Sequence, residues 1–144
     1  MRTLEFEYQF NYRPIFLETR SQKLLTPPLP VIEVALSYDR AATTDFALID
    51  SGSTFSVFTR EIADELGISV TEGRVQKLNT LGGSLLAYGH ELEITIAPNL
   101  HYAIEILFTE YPIPRNLLGH NGFLDRVAVA LRSKYGLIYL QPEF

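Results

Sequence analysis

Leu48-Ile49-Asp50-Ser51-Gly52-Ser53 decides how this chain is read. Phe46 to Ile49 is a short apolar run of the kind found in buried strands. Such a strand carries the Asp50 carboxylate to the edge of the core. Gly52 lets the backbone turn sharply and come close to that acid. The hydroxyls of Ser51 and Ser53, with nearby backbone N–H groups, can then hydrogen-bond the charged form. Asp-Ser-Gly is also common turn material, so the surrounding chain has to separate a reactive acid from a simple turn.

Downstream, Thr59 stands where a cap belongs for a helix over residues 60–66, with Glu61 near its start and Gly67 placed to stop it. Ile62 and Leu66 lie four apart and form its inward stripe. Val75 to Thr80 reads as a strand, Leu81-Gly82-Gly83-Ser84 as a flexible tip, and Leu85 to Ile96 as the returning strand. Tyr102 to Phe108 alternates again. Val127 to Leu131 and Leu137 to Leu140 make two more strands, joined by Arg132 to Gly136.

Upstream, Val31 to Leu36 is strand-like and Asp39 to Thr44 reads as polar turn material. Leu4, Phe6, Tyr8 and Phe10 alternate with Glu5, Glu7 and Gln9, a half-buried strand. Ile15 to Leu17 resumes a strand at an edge after Pro14. Pro27-Pro28-Leu29-Pro30 cannot sit inside a helix or a central strand. It divides an N-terminal arm with strand character, residues 1–30, from a main domain over residues 31–144. The sum is an all-β chain of about eight or nine strands with one or two short helices, fitting a closed or sandwiched β-barrel.

The totals narrow the function. The formal charge is −5, with no cluster of basic residues, which argues against a nucleic-acid partner. There are no cysteines, which excludes disulfides, thiolate metal sites and a cysteine nucleophile. His90, His101 and His120 are scattered, and His90-Glu91 lacks a second histidine at zincin spacing, so no metal site is expected. No G-x-S-x-G elbow makes Ser51 or Ser53 a nucleophile. No apolar run nears the roughly 18 residues that span a bilayer, and the alternating N-terminus does not read as a signal peptide. A soluble cytoplasmic protein, without membrane association, is the expectation.

The segment around Asp50 resembles the active-site signature of aspartic proteases, in which Asp, Thr or Ser, and Gly precede a small residue. Three further features stand in the family's order. A short helix follows the signature. Leu81-Gly82-Gly83-Ser84 sits between two strands, where the family has a glycine-tipped flap over its substrate. Asn116-Leu117-Leu118-Gly119-His120-Asn121-Gly122-Phe123-Leu124 resembles the second motif, which crosses beneath the catalytic turn and leads into a short helix. The resemblance spans about residues 31–140.

One signature in a chain of this length resembles the retroviral, single-lobe branch, the retropepsin-like enzymes. That implies a closed acid-protease barrel, one lobe per chain. It implies a homodimer in which Asp50 of each copy meets across a twofold axis and the pair shares a proton. One carboxylate then activates water and the other hydrogen-bonds the carbonyl of a polypeptide substrate, cut between apolar residues without metal or cofactor. The rival is a catalytically silent dimeric barrel that binds peptide or a partner protein.

The resemblance assigns Ser51 a cross-chain hydroxyl interlock, although Thr is commoner there. It assigns Ser53 a hydrogen bond to the outer oxygen of Asp50, which predicts that Ser53→Ala moves the pH optimum toward neutral. Leu117, Leu118, Gly119, His120 and Asn121 are implied to support the active site and the dimer. His120 replaces an Arg that braces the dimer through ion pairs. A histidine can do so only when protonated, which predicts a dimer that weakens as pH rises.

Overall fold

The computed structural model describes residues 3–18 and 23–144. Met1, Arg2 and residues 19–22, all in the expected arm, lie outside them. The described residues form strands β1 (Tyr8–Asn11), β2 (Phe16–Glu18), β3 (Lys23–Leu25), β4 (Val31–Tyr38), β5 (Ala41–Ile49) and β6 (Val57–Phe58). A helix α1 (Arg60–Glu65) and a 3-10 turn (Val70–Glu72) come next. Strands β7 (Arg74–Thr80), β8 (Gly83–Ala97), β9 (Leu100–Thr109), β10 (Asn116–Leu118), β11 (Val127–Arg132) and β12 (Leu137–Pro142) complete the chain. The class is all-β, as the sequence implies. Among the described residues no helix is long and apolar enough to cross a membrane.

Seven strands form one sheet in the order β4-β5-β10-β6-β9-β8-β7. Ala35 to Ser37 of β4 also pair with Glu93 to Thr95 of β8, which brings the sheet back upon itself. The alternation read from the sequence fills the interior: Ile32, Val34 and Leu36 of β4 meet Leu92 and Ile94 of β8 and Ile104, Ile106 and Phe108 of β9. Ile62 and Leu66 of α1 are both buried in this core, as their spacing predicts. Upstream of Leu92 the buried positions of β8 change parity to Gly89 and Ala87. Ala87 joins Val57 and Leu107 in a second, smaller cluster toward the hairpin end.

The arm packs on its own chain. β1 pairs antiparallel with β12, which pairs on its other side with β11. Tyr8, Phe10 and Tyr12 then lie against the main core. The regular strand begins at Tyr8 rather than Leu4, and β2 and β3 form a small separate hairpin.

Three local expectations need correction. The Asp39–Thr44 turn contracts to Asp39-Arg40, with Asp39 at φ 53°, and β5 already runs from Ala41. Thr43 and Thr44 are polar but β-branched, and they suit a ladder opposite Leu36 and Ala35. Thr59 is the N-cap of α1, but its side chain makes no capping bond; its backbone N–H donates instead to Asn116 Oδ1 at 2.9 Å. No helix follows the second motif. Residues after His120 form successive turns, closed by Leu124 N–H to Gly119 O and Asp125 N–H to His120 O, both at 3.0 Å. Gly122, at φ 95°, breaks any helical run there, and its N–H goes to Asp125 Oδ1 at 3.0 Å.

Candidate functional site

Asp50 lies directly beyond the end of β5. Its position is fixed by β10, which runs parallel to β5 with Leu117 beside Leu48 and Leu118 beside Ile49. The Asp50 N–H extends this ladder to Leu118 O at 2.9 Å. The turn then closes with Ser53 N–H on Asp50 O at 3.1 Å, and Gly52 N–H donates to Asp50 Oδ1 at 2.9 Å. A Cβ on Gly52 would come within 3.1 Å of that carboxylate oxygen. Glycine therefore permits the close approach expected from the sequence.

The second motif crosses beneath this turn. His120 N–H donates to Ser53 O at 2.9 Å and Asn121 N–H to Thr54 O at 2.8 Å. A Cβ on Gly119 would overlap the carbonyl oxygens of Phe55 and Ser53, so only glycine fits the crossing. Leu118 is fully buried, while Leu117 is half-buried beside Leu48. His120 Nε2 lies 2.7 Å from Ser51 O. A carbonyl only accepts, so the ring carries its proton on Nε2. The two motifs are thus tied together within one chain.

Ser53 departs from its expected role. Its hydroxyl donates to Phe55 O at 2.6 Å. A hydroxyl has one proton, and Ser53 spends it on its own turn rather than on Asp50. Ser51 is exposed, and among the described residues its hydroxyl has no partner.

A cleft of about 700 Å³ opens over Asp50. Asp50, Gly52 and Ser53 line it from the turn, Leu48 and Leu117 from the paired strands, and Gln76 to Thr80 with Leu85 from the β7–β8 hairpin. The hairpin turns at Leu81-Gly82 between the paired residues Thr80 and Gly83. Gly83 and Ser84 belong to β8, and Gly83 takes φ 123°, a conformation open to glycine. Leu81 is fully exposed. The stems of the hairpin, not Leu81 to Ser84, reach the cleft.

Two buried polar residues that hold the site went unread in the sequence. Asn116 Nδ2 donates to Asp45 Oδ2 at 3.0 Å and to Phe46 O at 2.9 Å, while its Oδ1 takes the Thr59 N–H. It fastens β10 to β5 and to the start of α1. Ser56 Oγ accepts Gly119 N–H and donates to Asn121 O. Both residues sit next to the quoted motifs, yet their partners lie far along the chain, so spacing alone gives no signal.

Among the described residues no group of three or more His, Asp or Glu lies close enough to hold a metal ion. His90 donates to Val70 O at 2.9 Å, well away from His120 in its bond to Ser51. Outside the cleft, the Arg74 guanidinium forks onto Glu105 at 2.7 and 3.1 Å. That hydrogen-bonded pairing holds the Glu105 carboxyl below the usual carboxylate range.

Residues 43–130 match the family model described as Aspartyl protease. The chain belongs to the aspartyl protease family. The match covers both motifs and the hairpin between them. Two solved structures share the fold of this aspartyl protease. One is a retropepsin-like aspartic protease from Rickettsia conorii, with a TM-score of 0.58 at 17% identity, covering 88% of this chain and 98% of that one. The other is the EIAV protease complexed with the inhibitor HBY-793, with a TM-score of 0.51 at 22% identity, covering 64% and 82% respectively. No curated protein matches the chain.

Proposed function

We propose that this aspartyl protease is an endopeptidase that works as a homodimer, with Asp50 of each copy sharing one active site. The observation that carries the reading is the Asp50 carboxylate, held by the Gly52 N–H at the floor of a peptide-sized cleft. Each chain brings a single signature acid, and water activation by this chemistry uses two. One ionised carboxylate takes a proton from water as it attacks the peptide carbonyl. The protonated partner donates to the carbonyl oxygen, and the roles reverse as the intermediate collapses. The pair titrates as a unit.

Ser51 supports the dimeric arrangement, because its exposed hydroxyl has no partner among the described residues and suits a bond across the axis. β7 supports the peptide substrate. It ends the sheet order, and Gln76 to Thr80 form the cleft wall, so an extended peptide adds there as a further strand. In this reading residues 31–144 form the protease lobe, residues 1–30 an arm laid on it, and Leu81 to Ser84 the tip of a flap that closes on substrate.

Incubation of denatured casein with the chain and with Asp50→Ala, at steps between about pH 3 and 7, tests the proposal. Cleavage by the chain and none by the variant is expected. Absence of cleavage from both would favour a silent barrel that binds peptide.

A further inference from the structure

Among the described arginines, only Arg40 and Arg115 have no side-chain partner, and Arg40 is exposed. Arg74 is paired with Glu105, Arg126 lies over the rings of Tyr102 and Phe144, and Arg13 lies over Phe46. Arg115 is half-buried, and among the described residues it has no hydrogen bond, ion pair or ring contact. None of its guanidinium nitrogens is shut away from water, so the group is open to take a partner from outside. The chain has 17 acids against 12 Lys and Arg, yet none of the described acids pairs with it.

Its surroundings say what that partner is. Arg115 lines the same cleft as Asp50, and among the described residues Asp50 is the only acid on the lining. Along β10, Asn116 and Leu118 are buried, whereas Leu117 faces the cleft. Arg115 stands in the bend just before β10 and lines the cleft with Leu117. The neighbouring lining from Leu48, Ile113 and Leu117 is apolar. A charge among apolar walls discriminates more strongly than one in open water. Lys77 also lines the cleft, but it is exposed and alternates away from the inward residues Gln76 and Leu78, so it adds only to the field at the rim.

The register bounds the distance. Asn116, the first residue of β10, lies beside Ala47, three residues before Asp50. At about 3.3 Å per residue this is about 10 Å of strand, and Arg115 is the next residue out, within the reach of about four residues of an extended peptide. We propose that Arg115 is a specificity-determining residue that selects peptides bearing a carboxylate side chain within about four residues of the bond cut. The planar guanidinium takes a carboxylate through two parallel hydrogen bonds. The proposal rests on the endopeptidase reading and adds an acidic requirement to apolar residues at the cut itself.

The test uses eight-residue peptides with a central Leu-Phe pair and one Glu moved through the other positions, each against its Gln counterpart. Binding is measured by fluorescence anisotropy to the full chain carrying Asp50→Asn, so no probe is consumed. Glu probes should bind about fivefold to tenfold more tightly than Gln probes at one or two positions, as expected of a partly buried charge-assisted pair. Arg115→Leu should abolish the contrast. Arg115→Glu should invert it toward Lys probes, a gain that a misfolded variant cannot show. Equal binding of Glu and Gln probes, no binding by any probe, or a contrast that survives Arg115→Leu would overturn the proposal. The same probes given to the chain with Asp50 intact separate the two readings. Discrimination in binding without cleavage overturns the protease reading alone. Asp50-dependent cleavage that ignores the Glu-to-Gln exchange overturns the role of Arg115 alone.

Discussion

The buried hydroxyl of Ser56 accepts the backbone N–H of Gly119 at 3.1 Å, joining two points 63 residues apart. The same hydroxyl donates to Asn121 O at 2.9 Å. One small side chain thus fixes the height at which the second motif passes beneath the Asp50 turn. Ser56→Ala leaves a buried N–H and a carbonyl without their partner. Urea denaturation should show a loss of about 1–3 kcal/mol, with activity falling along with it. A stability unchanged from the parent chain would show that the hydroxyl is dispensable.

Ser53 makes a contrary prediction. Its proton goes to Phe55 O, so the Asp50 carboxylate receives nothing from it. Ser53→Ala should therefore leave the pH–rate profile where it is, while lowering thermal stability slightly through the freed Phe55 carbonyl. A profile displaced toward neutral pH in the variant would mean that the hydroxyl turns to Asp50 in the working enzyme.

His120 braces the Asp50 turn through Ser51 O within its own chain. The bond needs only the Nε2 proton, which both the imidazolium and one neutral tautomer carry. His120→Ala should cost about 0.5–1 kcal/mol in denaturation experiments, the low end for an exposed hydrogen bond. A variant as stable as the parent chain would show that this contact does not hold the turn.

The strand carrying Asp50, the glycine beside it, helix α1 and the hairpin were legible because each depends on neighbours in sequence. A period of two, a Gly-stopped helix and a glycine pair state themselves locally. What stayed illegible depends on partners that folding supplies. β6 has two residues and β10 three, too few for any period to register, yet they hold the centre of the sheet. Thr43 and Thr44 carry the polarity of a turn, but their β-branching suits a strand, and the strand prevails. Ser53 was assigned a bond by resemblance, and the nearer carbonyl of Phe55 took it instead. Asn116 and Ser56 carry no signal until chain segments 57 to 71 residues away arrive beside them.

The Arg74–Glu105 fork gives stability a defined pH dependence. Glu105 is held below the usual carboxylate range, chiefly by its hydrogen bond from Arg74. A carboxyl depressed on folding stabilises the fold above its unfolded value, and the gain disappears as pH falls through the folded one. Both side chains are about half exposed, at 50% and 45%, so the gain is at most about 1 kcal/mol. Glu105→Gln should lower the melting temperature slightly at neutral pH. It should leave it unchanged at a pH below the folded value, where Glu105 is protonated in both states. A gap that persists in acid would assign the effect to packing rather than charge.

The central claim is that two copies of Asp50 make one active site, and mixing subunits tests it most directly. Parent chain held at fixed concentration is allowed to exchange with rising amounts of Asp50→Asn chain, and peptide hydrolysis is followed. Each parent chain drawn into a mixed dimer loses its second acid, so activity should fall to about one half at equal amounts and toward zero in excess. Activity that stays constant however much variant is added would contradict the shared site, because each chain would then be cutting alone.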